Sequence, residues 1–195
     1  MRRHLGLKRA ASLIDGFKRA RILVVGDLIM DHFIWGRVRR ISPEATVPVV
    51  EVTSESLLLG GGANVVNNIH SLGGKALVCG VIGRDDMGKS LVHELRLKGI
   101  ASDGVIVEDS RPTSVKTRVI AHSQQVVRFD MEKKDKIHLD TMKSIIDYTK
   151  EKINSVDTII ISDYAKGVLS EELVEEIINI AKRKGKPVAV DPKVS

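Results

Sequence analysis

The sequence predicts an α/β fold: a mostly parallel sheet with helices on both faces, plus a small antiparallel β-lid. Three observations carry this. Continuous apolar, β-branched runs such as Ile22-Leu23-Val24-Val25 have the pattern of strands buried on both faces. Helical patterns alternate with these runs, which is the rhythm of a covered parallel sheet. Two further stretches break the rhythm with strand-like pieces, as an inserted flap does. A chain of 195 residues suffices for one domain with a real core.

From about Leu7 to Arg19, the positions Leu13, Ile14 and Phe17 fall at helical spacing and predict an N-terminal helix. Arg21 to Gly26 is a buried strand. Phe33 to Leu58 alternates strand-like pieces, Val47-Pro48-Val49-Val50-Glu51-Val52 among them, with polar turns. After Gly88, the residues Leu91, Val92, Leu95 and Leu97 form a helical pattern closed by Lys98-Gly99. Thr113 to Met131 has the form of a hairpin: Ser114 to Ala121, a turn at His122-Ser123-Gln124-Gln125, then Val126 to Met131. Thr158 to Ser162 is a second buried strand. Ser170 to Lys184 is a strongly amphipathic helix whose Ser170 is a cap without a full capping box, since Leu173 stands three residues on. Pro187 to Val190 is another strand, ending at Asp191-Pro192. Antiparallel strands inserted between parallel units predict a lid over the carboxyl edge of the main sheet, where open α/β folds bind ligands.

Hydrophobic residues make up 43% and charged residues 29% of the chain, ordinary values for a globular protein. The net charge of +6 is spread over modest clusters at Arg2-Arg3, Lys8-Arg9, Arg37 to Arg40 and Lys182 to Lys186, with acids interspersed. With aromatics at 3% there is little to stack on bases, which argues against a nucleic-acid partner. The basic balance instead suits an anionic small molecule such as a phosphosugar. Cys79 is the single cysteine, sits in an apolar run and is expected to be a small buried hydrophobe. The basic segment Met1 to Arg9 is followed by Ser12, Asp15 and Lys18 rather than by a continuous apolar segment. No stretch reaches the roughly 18 apolar residues of a membrane span, so a cytoplasmic location without a membrane partner is expected.

Two glycine-bearing strand ends are the most informative local features. The first is Val24-Val25-Gly26-Asp27-Leu28-Ile29-Met30-Asp31; the second, Leu59-Gly60-Gly61-Gly62-Ala63-Asn64, reads as a loop opening an apolar, helix-like run. Carboxylates just past a buried strand can accept hydrogen bonds from sugar hydroxyls, and three glycines before a helix let the backbone approach a ligand with free N–H groups. Asp27 and Asp31 are therefore candidates for sugar recognition, with loop capping as the alternative. Gly60, Gly61 and Asn64 are candidates for the same ligand, although glycine triplets also mark plain turns. The loop is neither a P-loop nor a dinucleotide fingerprint. In the lid, Lys116 and Arg118 share strand parity and so one face. With Arg128 they could hold a phosphate, or they could form a solvated outer face. Ser162-Asp163-Tyr164-Ala165-Lys166-Gly167 and Asp191-Pro192-Lys193 place Asp163, Lys166, Asp191 and Lys193 on the carboxyl edge. That set suits a Mg²⁺–triphosphate neighbourhood, or else consists of polar strand caps. The six histidines show no metal-ligand spacing.

At these residues the chain resembles the ribokinase-like (PfkB) carbohydrate kinases. Within them it is most similar to the D-glycero-β-D-manno-heptose-7-phosphate kinase domain of ADP-heptose synthases, in order from about residue 21 to residue 193. The resemblance rests on Val24-Val25-Gly26-Asp27 to Asp31, Arg40-Ile41-Ser42-Pro43-Glu44-Ala45, Val47-Pro48-Val49-Val50, Gly60 to Asn64, Ser162 to Gly167 and Asp191-Pro192-Lys193. The Arg-Ile-Ser-Pro-Glu-Ala string is its most specific piece. It implies a ribokinase-like fold and ATP-dependent phosphorylation of heptose 7-phosphate at O1, feeding the heptose precursor of lipopolysaccharide. By the same resemblance Asp31, Gly60, Gly61 and Asn64 correspond to sugar-binding positions. Lys116, Arg118 and Arg128 would contact the existing phosphate, Asp163 would lie near the nucleotide phosphates and Mg²⁺, and the β-lid would serve as a homodimer surface.

The resemblance also makes residues 1–195 the N-terminal part of one kinase domain, with lid segments at about 33–58 and 111–131. The family carries its catalytic base in a Gly-Ala-Gly-Asp motif downstream of the Asp-Pro-Lys segment. No such motif occurs in this sequence, so the base and the C-terminal nucleotide-binding part are expected downstream of Ser195. Another ribokinase-like sugar kinase, or a non-catalytic sugar-binding or dimerising piece, are the alternative functions.

Overall fold

The computed structural model describes residues 6–193; the basic pair Arg2-Arg3 and the terminal Ser195 lie outside the described residues. In chain order the elements are α1 (Leu7–Gly16), β1 (Arg21–Gly26), β2 (Leu28–Ile41), β3 (Pro48–Gly60), α2 (Gly61–Ser71), β4 (Lys75–Ile82), α3 (Asp86–Leu97), β5 (Val105–Val107), β6 (Ser114–Ala121), β7 (Gln124–Met131), α4 (Leu139–Lys152), β8 (Thr158–Ser162), α5 (Glu171–Arg183) and β9 (Val188–Asp191).

Five strands form a sheet in the order β5-β4-β1-β8-β9, with every neighbouring pair parallel. Its centre is apolar on both faces because helices cover both. Leu23 and Val25 of β1 pack with Cys79, Val81, Ile159 and Ile161 against α4 and α5, through Ile145, Leu173, Ile177 and Ile180. Val24, on the opposite face, packs with Val78 and Ile82 against Ala63 and Val66 of α2 and Leu91 and Leu95 of α3. Alternate side chains of one strand thus enter two cores. Cys79 is fully buried, and burial pushes its thiol pKa up to about 12.

The lid is a four-stranded sheet in the order β3-β2-β6-β7. Its outer pairs are antiparallel, but the central pair β2–β6 is parallel, so the lid is a mixed sheet rather than the purely antiparallel one expected. β2 and β3 are long, 14 and 13 residues. They form one continuous hairpin where the sequence suggested separate strand-like pieces, and the lid strand starts at Leu28 rather than near residue 33. A burial gradient explains this. Leu28, Ile29 and Met30 are 2%, 1% and 0% exposed, whereas Ile41 is 57% exposed. The strand begins in the core formed with α2 and α3 and runs out into solvent, so its apolar pattern fades along its length.

Other departures are local. The Gly60–Asn64 segment is not a loop: β3 ends at Gly60 and α2 starts at Gly61. Gly61 makes this abrupt junction at φ +53°, where an added Cβ would collide with the Asp27 carbonyl oxygen. The β6–β7 turn is two residues, His122 and Ser123, both at positive φ, so Gln124 and Gln125 belong to β7. Helix α3 begins before Gly88. Asp85 caps it by accepting the Gly88 N–H (2.8 Å), and the same carboxylate accepts the Thr113 N–H (2.8 Å) and hydroxyl (2.7 Å). That contact fastens the root of β6 to the parallel-sheet layer. No strand was expected at β4 or β5, and no helix at α4.

Candidate functional site

The parallel register aligns Gly26, Ser162 and Asp191 across β1, β8 and β9. Asp27, Asp163 and Asp191 therefore gather at one carboxyl edge. Asp27 lies between β1 and β2 and is 1% exposed. Its N–H donates to Ser162 O (3.1 Å), and its C=O accepts the Gly62 N–H (2.8 Å). Its Oδ2 accepts the N–H groups of Tyr164 (2.8 Å) and Lys166 (3.2 Å). These are the contacts of the capping alternative. Burial raises the Asp27 pKa, opposed by those backbone hydrogen bonds. Its Oδ1 and the neighbouring Ser162 Oγ are buried without a hydrogen-bond partner among the described residues.

Asp31 is not in a loop after β1; it lies within β2, opposite Lys116 of β6. Its Oδ2 rests against Gly60, where a Cβ would come within 2.6 Å of that oxygen. A side chain at 60 would therefore displace the carboxylate. Oδ1 of Asp31 accepts from Arg118 Nη1 at 2.6 Å, and the two side chains are 25% and 24% exposed. The Arg118 guanidinium also lies 5.2 Å from the centre of the Phe33 ring, in cation–π range. Asn64 is exposed on the first turn of α2.

The lid cations occupy one face, as strand parity indicated, but carboxylates accompany them. Lys116 Nζ lies 3.1 Å from Asp130 and 4.0 Å from Glu132. Arg128 Nε lies 3.1 Å from Asp130. Lys166 Nζ, from the loop after β8, reaches Glu132 at 2.6 Å. Burial opposes ionisation of Asp130 and Glu132, yet their lysine partners outweigh it: Lys116 holds Asp130, and Lys166 holds Glu132, below the usual carboxylate range. Sequence reasoning missed both acids. Their signal was present, because Arg128, Asp130 and Glu132 alternate on one face of β7 and its continuation.

Arg111 was also missed. It is buried, and its Nη2 donates to the carbonyls of Lys133 (3.0 Å), Asp135 (2.9 Å) and Lys166 (3.1 Å). Lys166 is thus fixed through its N–H by Asp27 and through its C=O by Arg111, which places its ammonium beside the lid. Nothing in the spacing of Arg111 announces this, since its acceptors are carbonyls from two distant segments. Asp163 is half-buried and accepts the Ala165 N–H at 2.8 Å. Asp191 and Lys193 are exposed. Among the described residues no group of three or more His, Cys, Asp and Glu side chains is placed to hold a metal ion, and no helix is long and apolar enough to cross a membrane.

The arrangement is a sheet edge where a carboxylate paired with Arg118 is backed by the Gly60 backbone, beside lid cations that are balanced by acids. Proteins with solved structures share this fold. Phosphofructokinase-2 from Escherichia coli, solved in complex with substrates and products, matches 89% of this chain and 54% of its own at a TM-score of 0.66 and 20% identity. Ribokinase from Arabidopsis thaliana, complexed with ribose and ATP, matches 90% and 54% at a TM-score of 0.64 and 17% identity. In sequence, the bifunctional protein HldE of Helicobacter pylori (strain J99) is 49% identical over 173 residues, 89% of this chain. HldE of Sulfurimonas denitrificans is 45% identical over 175 residues, 90% of this chain. The chain spans 37% of the length of these two relatives. Residues 19–195 match the model of the pfkB family of carbohydrate kinases, and the chain belongs to that family.

Proposed function

We propose that this chain forms the sugar-binding part of a sugar-phosphate kinase, which in the complete protein phosphorylates heptose 7-phosphate at O1 with ATP, toward ADP-heptose and lipopolysaccharide. The observation that carries the reading is Asp31, set against Gly60 within the lid sheet and beside lid cations that are suited to a phosphate. Similarity to HldE proteins over 89% of the chain supports heptose as the sugar. In this reading Asp31, Asn64 and the backbone at Gly60 and Gly61 receive the sugar hydroxyls. Lys116, Arg118 and Arg128 receive the existing phosphate. Asp27 acts from beneath by holding the 164–166 loop.

Asp163, Lys166, Asp191 and Lys193 line the neighbourhood of the nucleotide phosphates. A magnesium ion carried by a nucleotide needs only one or two protein carboxylates, which fits the lone half-buried Asp163 better than a dedicated metal cage would. Bound Mg·ATP supplies the phosphoryl group and neutralises its charge during transfer; the residues of this chain orient the acceptor and hold the surrounding charges. We assign no catalytic base within the chain. On the face of β7 opposite Arg128 and Asp130 the lid exposes Val127, Phe129 and Met131, each 48–55% exposed, and this apolar strip supports a homodimer formed through the lid.

Isothermal titration of the intact polypeptide with heptose 7-phosphate, heptose and Mg·ATP tests the reading. Heptose 7-phosphate is expected to bind more tightly than heptose, and Asp31→Ala is expected to weaken heptose 7-phosphate by tenfold or more, about the loss of one charge-assisted hydrogen bond. A folded protein that binds neither sugar rules the reading out.

A further inference from the structure

Arg118 occupies the carboxylate that the sugar would use. Its guanidinium meets Asp31 Oδ1 at 2.6 Å, while Gly60 backs the other oxygen. A hydroxyl approaching Asp31 therefore meets a carboxylate that already has a charged partner. The other lid cations differ in this respect. Lys116 and Arg128 share Asp130, and Lys116 also faces Glu132, so their acids come from β7 and its continuation and are not proposed sugar ligands. The ion pair that Arg118 makes among the described residues is with the proposed sugar ligand. Arg118 lies opposite Phe33 in the β2–β6 register, two pairs beyond Asp31 and Lys116, and reaches back over the Phe33 ring. That ring face gives the guanidinium a surface along which it can swing without losing its cation–π contact.

We infer that the Asp31–Arg118 ion pair is a specificity latch, opened by the phosphate of a phosphorylated sugar and kept closed against an unphosphorylated one. The inference rests on the sugar-phosphate reading above. Both side chains are about three-quarters buried, so neither is left without a counter-charge at no cost. A phosphate offers Arg118 a bidentate, charge-assisted replacement for the carboxylate. As Arg118 moves to it, Asp31 is freed for hydroxyls. A sugar without phosphate offers no counter-charge, so its hydroxyls must compete with the intact pair. Discrimination then comes from the unfavourable alternative as well as from the favourable contact.

The test is titration of heptose and heptose 7-phosphate into wild-type, R118M and R118K forms of the intact polypeptide. In R118M the carboxylate is already free. Heptose is expected to bind about fivefold or more tightly than to wild type, and heptose 7-phosphate about tenfold or more weakly, on the scale of one partly exposed ion pair and one charge-assisted contact. R118K, which keeps the charge but not the fork, should restore part of the selectivity. A merely structural role for Arg118 would weaken both ligands together. If wild type binds heptose 7-phosphate and R118M gains nothing on heptose, the latch is wrong and the sugar-phosphate reading stands. If wild type binds neither sugar, both fall. Should R118M lower the thermal midpoint, R118Q is read in its place by the same criteria.

Discussion

The Asp27 carboxylate accepts two main-chain N–H groups and lies out of water, so its removal leaves donors in the 164–166 loop without a partner. Asp27→Ala is expected to cost about 2 kcal/mol of stability, read as a lower urea midpoint at unchanged slope. Asp27→Asn keeps an acceptor and sheds a buried charge, and should cost under about 1 kcal/mol. The sign with pH follows from the raised pKa of Asp27. A carboxyl whose folded pKa lies above its unfolded value of 3.8 contributes stability below that value and loses it as pH rises through the folded one. The Asn variant should therefore compare more favourably with wild type at pH 7 than at pH 4. An unchanged difference between those pH values would show that Asp27 stays ionised throughout. Asp31, partly exposed and paired once, should by contrast affect stability by less than about 1 kcal/mol when replaced by Ala, its effect appearing in ligand binding.

At the scale of elements, the lid is held at its root by apolar packing and along its face by ion pairs. Leu28, Met30, Leu59 and Val115 enter the core with α2 and α3, and Asp85 ties the start of β6 to α3. Beyond the root, Lys116, Arg128 and Lys166 meet Asp130 and Glu132. Both acids have folded pKa values below their unfolded values of 3.8 and 4.5. Their contribution is present above those values and lost as pH falls through the lower folded ones. The outer lid should therefore loosen as pH falls below about 4.5. Trp35, the single tryptophan, lies on β2 and stacks on Phe33 at 6.1 Å, so its emission reports on the lid alone. An emission shift in acid while far-UV dichroism stays constant is the expected result. Coincident transitions would mean that the lid has no separate stability.

For the whole molecule, the central sheet is a partition between two cores. Ile177 of α5 lies in one and Leu91 of α3 in the other, each fully buried. Ile177→Ala and Leu91→Ala are each expected to cost about 2–5 kcal/mol. Because the sheet separates them, the double variant should lose the sum of the two, within about 0.5 kcal/mol. Strong non-additivity in equilibrium unfolding would show that the two faces relax together.

The elements legible in advance were those whose periodicity one environment sets. β1, buried on both faces, and α5, with one apolar side and Ser170 accepting the Leu173 N–H at 3.3 Å, fall where their patterns place them. The long hairpin β2–β3 was not legible as one unit, because its burial changes along each strand from core to solvent and no single period describes it. β4 was hidden inside an apolar run and β5 is three residues long, too short to leave a pattern. In the site, the shared face of Lys116 and Arg118 was readable because strand parity sets it, whereas Asp31 was expected just past β1 and lies within β2. That Asp130 and Glu132 neutralise the cations depends on how β6 and β7 pair. That Arg111 fixes Lys166, and that Arg118 closes on Asp31, depends on segments 55 and 87 residues apart in sequence. The sequence by itself determined the fold class, the two-sided core and the family, because these follow from local periodicity and contiguous motifs. The tertiary structure alone decided which charge partners which, because ion pairs across a sheet form between residues whose separation in the chain carries no signal of their contact.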